Sequence, residues 1–143
     1  MEVTIVENQA INLKEKLHFF FEHEEHDHSF CPVRDIMDRF GDKWSLLVIL
    51  QLGYSGKTRF NELKNKIDGI SQRMLTVTLR SLERDGLLIR SIYAEVPPRV
   101  EYDLTEMGKG LLLKIFELAQ WASSNMDQII GARELYDDKV QMA

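Results

Sequence analysis

The stretch GISQRMLTVTLRSLERDGLLIRS, from Gly69 to Ser91, describes one segment with two contrasting faces. Its apolar side chains, with one threonine among them, recur at three- and four-residue steps, which places them on one side of a helix. These residues are Ile70, Met74, Leu75, Thr78, Leu79 and Leu82. We therefore expect a helix that presses this face into a protein core.

The opposite face of the predicted helix carries hydrogen-bond donors and cations. Its residues are Gln72, Arg73, Thr76, Val77 and Arg80, with Arg84 nearby. Most polar helix faces are simply solvated. This one has no acidic residue before Glu83, so it also suits an anionic partner that accepts hydrogen bonds.

The segment before this helix completes a helix-turn-helix pattern. A short helix is predicted from its apolar residues Phe60, Leu63 and Ile67, with Thr58 as the expected N-cap. A tight turn follows over residues 68–70, and Ser71 is a favoured N-cap for the second helix. In this arrangement the second helix enters the major groove of DNA.

After Gly86 the hydrophobic period changes from helical to extended. Val100, Tyr102 and Leu104 alternate with charged residues, which predicts a strand with one buried face. The preceding LLIRSIY is linked to this strand by AEVPP, whose two prolines mark a hairpin tip because proline cannot donate to a strand ladder. We interpret the hairpin as a wing whose Arg99, together with Arg90, reaches the DNA backbone or minor groove.

The net charge of −5 conceals an uneven distribution. Residues 57–99 contain nine Lys and Arg against five Asp and Glu, whereas residues 1–30 contain two lysines against seven acids. Phosphates respond to the local basic patch rather than to the mean. The acidic total therefore does not exclude a nucleic-acid partner.

Length and composition predict one domain with a core of its own, because the chain has 143 residues and is 44% hydrophobic. The longest apolar run, residues 44–50, is far shorter than the roughly 20 residues of a membrane helix. The N-terminus also has no secretory signal pattern. We expect a cytoplasmic protein without a membrane partner. We divide it into an N-terminal helical extension with a His/Glu-rich connector (1–30), a DNA-binding domain (31–104), and a dimerisation helix with its tail (105–143).

The predicted C-terminal helix carries a heptad-like seam. Its residues step by three and four: Leu112, Ile115, Ala119, Ala122, Met126 and Ile129. The two alanines allow another helix to approach closely, so we expect this seam to lie in a homodimer interface.

Cys31 is the single cysteine, which excludes an intrachain disulfide but permits one between subunits. A lone cysteine is commonly a small buried apolar residue. Its place just before Pro32, at a predicted helix N-terminus, instead favours a reactive thiolate, although the nearby acids oppose that effect. Cys31 is therefore a candidate redox sensor.

Four histidines lie within eleven residues: His18, His23, His26 and His28. His23 and His26 can share a helical face, but their spacing is not that of the zinc-protease pair. A polar connector is the favoured interpretation, since a His-rich tract is only a compositional hint of metal binding. We expect no metal and no cofactor.

The segments CPVRDIMDRFGDKWSLLVILQL and RFNELKNKIDGISQRMLTVTLRSLERDGLLIRSIYAEVPPRVEYDLTEMGKGL resemble the HxlR family of bacterial transcription regulators, which are relatives of MarR-type winged-helix proteins. The resemblance covers about residues 31–122, and its motifs are CPV, GDKW, RFNEL, GIS, LERDGL and VPPRVEY. It implies a homodimer held by terminal helices on a pseudo-palindromic operator in double-stranded DNA. It also implies that Cys31 matches a cysteine with which some members sense electrophiles or oxidants.

The sequence thus predicts a mainly α winged helix-turn-helix protein with a small β wing. We assign Gln72, Arg73, Thr76 and Val77 to base edges, and Ser71, Lys64, Arg80 and Arg99 to phosphates. The alternative is a helical dimer that binds a small molecule or protein without binding DNA. No nucleophile with a base, phosphate loop or catalytic carboxylate pair is recognisable, so we do not expect an enzyme.

Overall fold

Helices dominate the computed structural model, which describes residues 12–18 and 32–143. Its elements are α1 (residues 12–18), α2 (Pro32–Phe40), α3 (Lys43–Ser55), β1 (Thr58–Arg59), α4 (Phe60–Lys66), α5 (Gln72–Arg84), β2 (Leu88–Tyr93), β3 (Arg99–Leu104) and α6 (Glu106–Met142). Two short helices followed by a β-hairpin have the order of a winged helix-turn-helix domain. The predicted mainly α fold with a small β wing is confirmed.

The chain forms two compact units, residues 1–36 and 37–143. In the first unit, the apolar side chains of Leu13 and Leu17 on α1 are exposed, and so are Val33 and Ile36 on α2. The second unit contains the end of α2 and all the elements that follow.

The core of the second unit is built around α3. Val48, Ile49 and Leu52 of this helix are buried, and α4, α5, α6 and β3 all contact it. Burial of each such side chain contributes about 1.5–3 kcal/mol to folding. Because so many elements meet on α3, this helix fixes the position of α5.

Side-chain caps fix the start of three helices. They are Asp42 for α3, Ser71 for α5 and Thr105 for α6. In each case backbone N–H groups of the first turn donate to the cap oxygen at 2.9 to 3.0 Å. Such a cap contributes about 1 kcal/mol, because it satisfies a donor that the helix leaves unpaired. The predicted Ser71 cap is confirmed.

The sheet is antiparallel with strand order β1-β3-β2. β2 pairs with β3 from Leu88 opposite Leu104 to Tyr93 opposite Arg99, and residues 94–98 form the hairpin tip as predicted. The prolines thus lie outside the strand ladder.

The expectation that Thr58 caps α4 is wrong. Thr58 lies in β1 opposite Tyr102, and its Oγ1 donates to the Gly56 carbonyl at 2.7 Å. Helix α4 begins after Arg59, whose side chain makes no capping hydrogen bond. A two-residue strand has no periodicity that a sequence can display, so the sheet's third strand was not predicted.

Helix α6 belongs partly to the core and partly to the surface. It has 37 residues and is therefore about 55 Å long. Ile115 is buried in the core, and Leu111 and Leu112 pack against it, whereas the side chains after Ile115 are half-buried or exposed. The C-terminal part of the helix thus presents most of its surface outside the second unit's own core.

Two glycines of α6 provide a matched test of this packing. A Cβ added to Gly108 would collide with the Leu87 carbonyl oxygen, while one added to Gly110 would meet nothing within 4 Å. We expect Gly108→Ala to lower the free energy of unfolding by about 1–3 kcal/mol through overpacking. Gly110→Ala should raise it by about 0.5–1 kcal/mol, because alanine favours helix. Urea unfolding measures both, and equal effects would contradict the described approach of α6 to Leu87.

Candidate nucleic-acid interface

The turn between α4 and α5 is anchored in the core on both sides and sets where the second helix begins. Ile67 and Ile70 are buried on either side of it, and Gly69 adopts a positive φ of 79° that favours glycine. The Ser71 hydroxyl then accepts the Met74 N–H at 3.0 Å and starts α5. The predicted helix-turn-helix geometry is confirmed.

The buried face of α5 agrees with the apolar stripe except at its margin. Leu75, Thr78, Leu79 and Leu82 are buried, whereas Met74 is 39% exposed. Met74 lies about 90° around the helix from the centre of the stripe, so it reaches the edge of the core rather than its middle.

The predicted reading face of α5 is open to solvent. Gln72, Arg73, Val77 and Arg80 are exposed, and Thr76 is half-buried. Thr76 Oγ1 donates to the Gln72 carbonyl at 2.8 Å, so its hydroxyl oxygen and its methyl group remain for a partner. The helix therefore presents an amide, two guanidinium groups and two small apolar contacts side by side.

The residues predicted to contact phosphates have different surroundings. Ser71 is exposed but already caps α5, and it can still donate through its hydroxyl hydrogen. Lys64 is half-buried on α4. Within the described part of the chain, Arg73 and Arg80 form no ion pair with a carboxylate, which leaves their charges available.

Arg99 is held within the wing. Its guanidinium lies 3.3 Å from carboxylate oxygens of both Glu95 and Glu101, and 4.1 Å from the centre of the Tyr93 ring. Lys57 Nζ donates to the Tyr93 hydroxyl on the same cluster at 3.2 Å, a bond that raises the pKa of Lys57. Because two carboxylates offset its charge, Arg99 is a weaker phosphate candidate than its position in the sequence suggests.

A second arginine of the wing, Arg90, lies instead beside α5. It is directly opposite Tyr102 in the β2–β3 register, so the two side chains share one face of the sheet. Arg90 and Tyr102 line a cleft of about 280 Å³ with Arg80 and Glu83 of α5. The sequence did not predict this cleft, although strand alternation within the hairpin places Arg90 on the same face as Tyr102 and Leu104.

Tyr102, one of the residues that line this cleft, is only 9% exposed. Burial raises the pKa of Tyr102, and the positive charges of Arg90 and Arg80 offset part of that rise. The hydroxyl therefore stays protonated at neutral pH and can donate a hydrogen bond.

The predicted dimer seam on α6 is divided by the fold. Ile115 is buried in the second unit's core, and Leu112 packs against that core beside Gly53. Ala119 and Met126 are exposed, while Ala122 and Ile129 are half-buried. Large exposed apolar side chains continue beyond the seam at Leu118, Trp121, Ile130, Tyr136 and Val140.

Two predicted features fall outside the described residues. Cys31 and the histidines at 23, 26 and 28 belong to the segment between α1 and α2. Within residues 12–18 and 32–143, no group of three or more His, Cys, Asp and Glu side chains is placed to hold a metal ion. None of the helices in these two ranges has the length and apolar character needed to cross a membrane.

Comparison with known proteins agrees with this architecture. A family model described as HxlR-like helix-turn-helix matches residues 39–130. The uncharacterized HTH-type transcriptional regulator YdeP of Bacillus subtilis is 41% identical over 116 residues, which cover 80% of this chain and 90% of YdeP.

Solved structures show the same fold. The redox regulator HypR in its reduced form has a TM-score of 0.66 and 40% identity, covering 71% of this chain and 99% of its own. A protein assigned to the MarR family of transcriptional regulators, from Enterococcus faecalis V583, has a TM-score of 0.62 and 33% identity, covering 76% and 97%.

The fold, the donor-rich helix and these relatives define a DNA-binding transcriptional regulator of the winged helix-turn-helix class. Within that class, the chain belongs to the HxlR-like helix-turn-helix family. The resemblance to the HxlR family that the LERDGL and VPPRVEY motifs indicated is thereby confirmed.

The exposed guanidinium of Arg73 allows a direct test of base reading. If Arg73 contacts a guanine, Arg73→Ala should cost about 1–3 kcal/mol on the preferred operator and relax the preference at one base pair. Lys114→Ala removes an exposed cation from α6 and should leave that preference intact. Binding to a panel of single-base operator variants measures both, and an equal loss on every sequence would assign Arg73 to a phosphate instead.

Proposed function

We propose that this chain regulates transcription as a cytoplasmic homodimer that binds a pseudo-palindromic operator in double-stranded DNA. The observation that carries the proposal is the exposed face of α5, where Gln72, Arg73 and Arg80 stand together after a helix-turn and before a wing. A donor face without a carboxylate in its first three turns is what base edges and phosphates require.

The residues of α5 divide by chemistry. We assign Gln72 and Arg73 to base edges, because each can form two hydrogen bonds with a purine. Thr76 and Val77 offer methyl groups to thymine. Lys64, Ser71 and Arg80 suit phosphates, and we give Arg99 a supporting role in the wing because Glu95 and Glu101 hold its guanidinium.

The exposed apolar side chains of α6 support dimerisation. Trp121 is 58% exposed and Tyr136 67%, and large apolar side chains exposed along one helix commonly mark an interaction surface. We propose that Ala119, Ala122, Met126 and Ile129 meet the same residues of a second copy. A two-fold dimer places its two α5 helices about one turn of DNA apart, roughly 34 Å.

Redox control through Cys31 is the proposed signal. HypR, a similar protein, is described as a redox regulator and has been solved in oxidised and reduced forms. Cys31 immediately precedes Pro32, the first residue of α2. At the other end of α2, Arg39 Nη1 lies 3.2 Å from Asp85 Oδ1, and Asp85 is the C-cap residue of α5.

We propose one route by which oxidation would act on DNA binding. A disulfide between the Cys31 residues of two subunits would reposition α2, and the Arg39–Asp85 ion pair would transmit that shift to α5. The operator accepts one separation of the two α5 helices, so affinity would change with the oxidation state. The alternative is a binding protein without DNA affinity. It is less favoured, because the relatives of this chain carry the names of transcriptional regulators.

The first test is a fluorescence-anisotropy titration of the reduced protein with DNA from upstream of its own gene and with a scrambled duplex, at several salt concentrations. We expect selective binding whose logarithm falls linearly with the logarithm of salt, because each phosphate contact releases counterions. Absence of binding to either duplex at low salt would favour the alternative.

The same titration after diamide treatment tests Cys31. Diamide accepts two electrons and two protons as two Cys31 thiols form a disulfide. We expect this to change the affinity of the wild type and to leave that of Cys31→Ser constant, because Cys31 is the single cysteine. An identical response in both proteins would exclude Cys31 as the sensor.

The dimer interface is tested at Ala119, which is exposed in the second unit and so tolerates a larger side chain there. Ala119→Glu should dissociate the dimer, because a charge buried without a partner is strongly unfavourable. Ser124→Glu is the matched control, since it adds the same charge about 140° around the helix. Light scattering measures the mass, and an unchanged mass for Ala119→Glu would place the interface elsewhere.

A further inference from the structure

We propose that the cleft between α5 and the wing is a phosphate site, in which Arg80 and Arg90 hold one backbone phosphate of the operator and Glu83 competes with it for Arg90. The site rests on the proposed function, because its ligand is part of the bound DNA. It extends that function from the reading helix to the root of the wing.

The cleft lies on the side of α5 that is assigned to DNA. Its lining includes Gln72, Thr76 and Arg80, which follow one another at steps of four residues and belong to the predicted reading face. The opposite wall is Arg90 on β2. Any duplex that touches the reading face therefore passes the mouth of the cleft.

The donors in the cleft match the oxygens of a phosphate. Arg80 and Arg90 offer two guanidinium groups from different elements, and guanidinium is suited to bidentate contact with phosphate. The Tyr102 hydroxyl adds a neutral donor, which its raised pKa keeps protonated.

Glu83 is the one carboxylate among the described residues that line the cleft, and its ion pair with Arg90 is weak. The two side chains are separated by 3.6 Å, and they are 37% and 44% exposed. An exposed pair at that distance contributes at most about 1 kcal/mol. A phosphate that forms short, charge-assisted hydrogen bonds can therefore displace Glu83 from Arg90.

The two arginines of the wing thus have opposite roles. Arg99 has a 28% exposed side chain and pairs with two carboxylates, so its charge is already neutralised within the wing. Among the residues that the structure describes, Arg90 has one ion-pair partner, Glu83 of α5, at 3.6 Å. This contrast makes Arg90 the wing arginine available to DNA.

The central experiment is a double-mutant cycle in the full-length protein, read by anisotropy with its own operator. Arg90→Ala should weaken binding about tenfold on all sequences and reduce the salt slope by about one contact. Glu83→Gln should strengthen binding, because it removes the competitor while keeping the size of the side chain. In the Arg90→Ala background, Glu83→Gln should have no further effect.

A control separates competition from general electrostatics. Glu95→Gln removes a carboxylate from the ion pair with Arg99 at the other end of the wing. It should change affinity much less than Glu83→Gln. If the two substitutions strengthen binding equally, or if Glu83→Gln keeps its full effect without Arg90, the gain is a general charge effect and the proposed competition is overturned.

A phosphate arm distinguishes a DNA phosphate from a free anion. Inorganic phosphate is titrated into the isotope-labelled protein, and the Arg90 Nε–H resonance is followed. If phosphate shifts that resonance while Arg90→Ala binds operator as tightly as the wild type, the cleft is an anion site unrelated to DNA and the proposal is overturned. A wild type that binds no duplex defeats the proposed function itself, whereas tight binding unaffected by Arg90→Ala defeats only this site.

Discussion

Packing of one face of α5 against α3 is the constraint on which the other features depend. Leu75, Leu79 and Leu82 enter the core that α3 organises, and their burial fixes the rotation of α5 about its own axis. That rotation alone decides that Gln72, Arg73 and Arg80 face outward. Recognition of DNA is therefore a consequence of how leucines pack, since a helix cannot bury one side without presenting the other.

Local pairing governs the electrostatics of the interface more than net charge does. The chain is acidic overall, yet the exposed arginines of α5 have no carboxylate in the first turns of their helix. In the wing, by contrast, acids and arginines alternate and neutralise one another around Arg99. Arginine thus serves as a DNA-binding group on α5 and as a partner in structural ion pairs in the wing.

The sequence predicted the structure correctly where hydrophobic periodicity or a capping residue marks a helix, a turn or a strand. It predicted the helix-turn-helix, the Ser71 cap and the limits of the hairpin. It failed where a tertiary contact decided the outcome: Thr58 joins a strand because β3 lies beside it, and Arg99 is bound because Glu95 and Glu101 converge on it. Periodicity also cannot say which partner a stripe meets, and so Ile115 of the predicted seam lies in the second unit's own core.

Because α6 is one continuous helix, it connects the core directly to the surface at its C-terminal end. Residues near Ile115 are anchored beside α3, and Tyr136 lies 21 positions further along the same rod. Each residue of an α-helix advances the chain by about 1.5 Å and turns it by about 100°. In a dimer built on this helix, the number of residues between the core and the seam therefore sets the distance between the two α5 helices. One residue inserted between Ile115 and Ala119 would turn the exposed part of the seam by about 100° relative to the core, and a dimer built on that seam would hold its two α5 helices in a different arrangement.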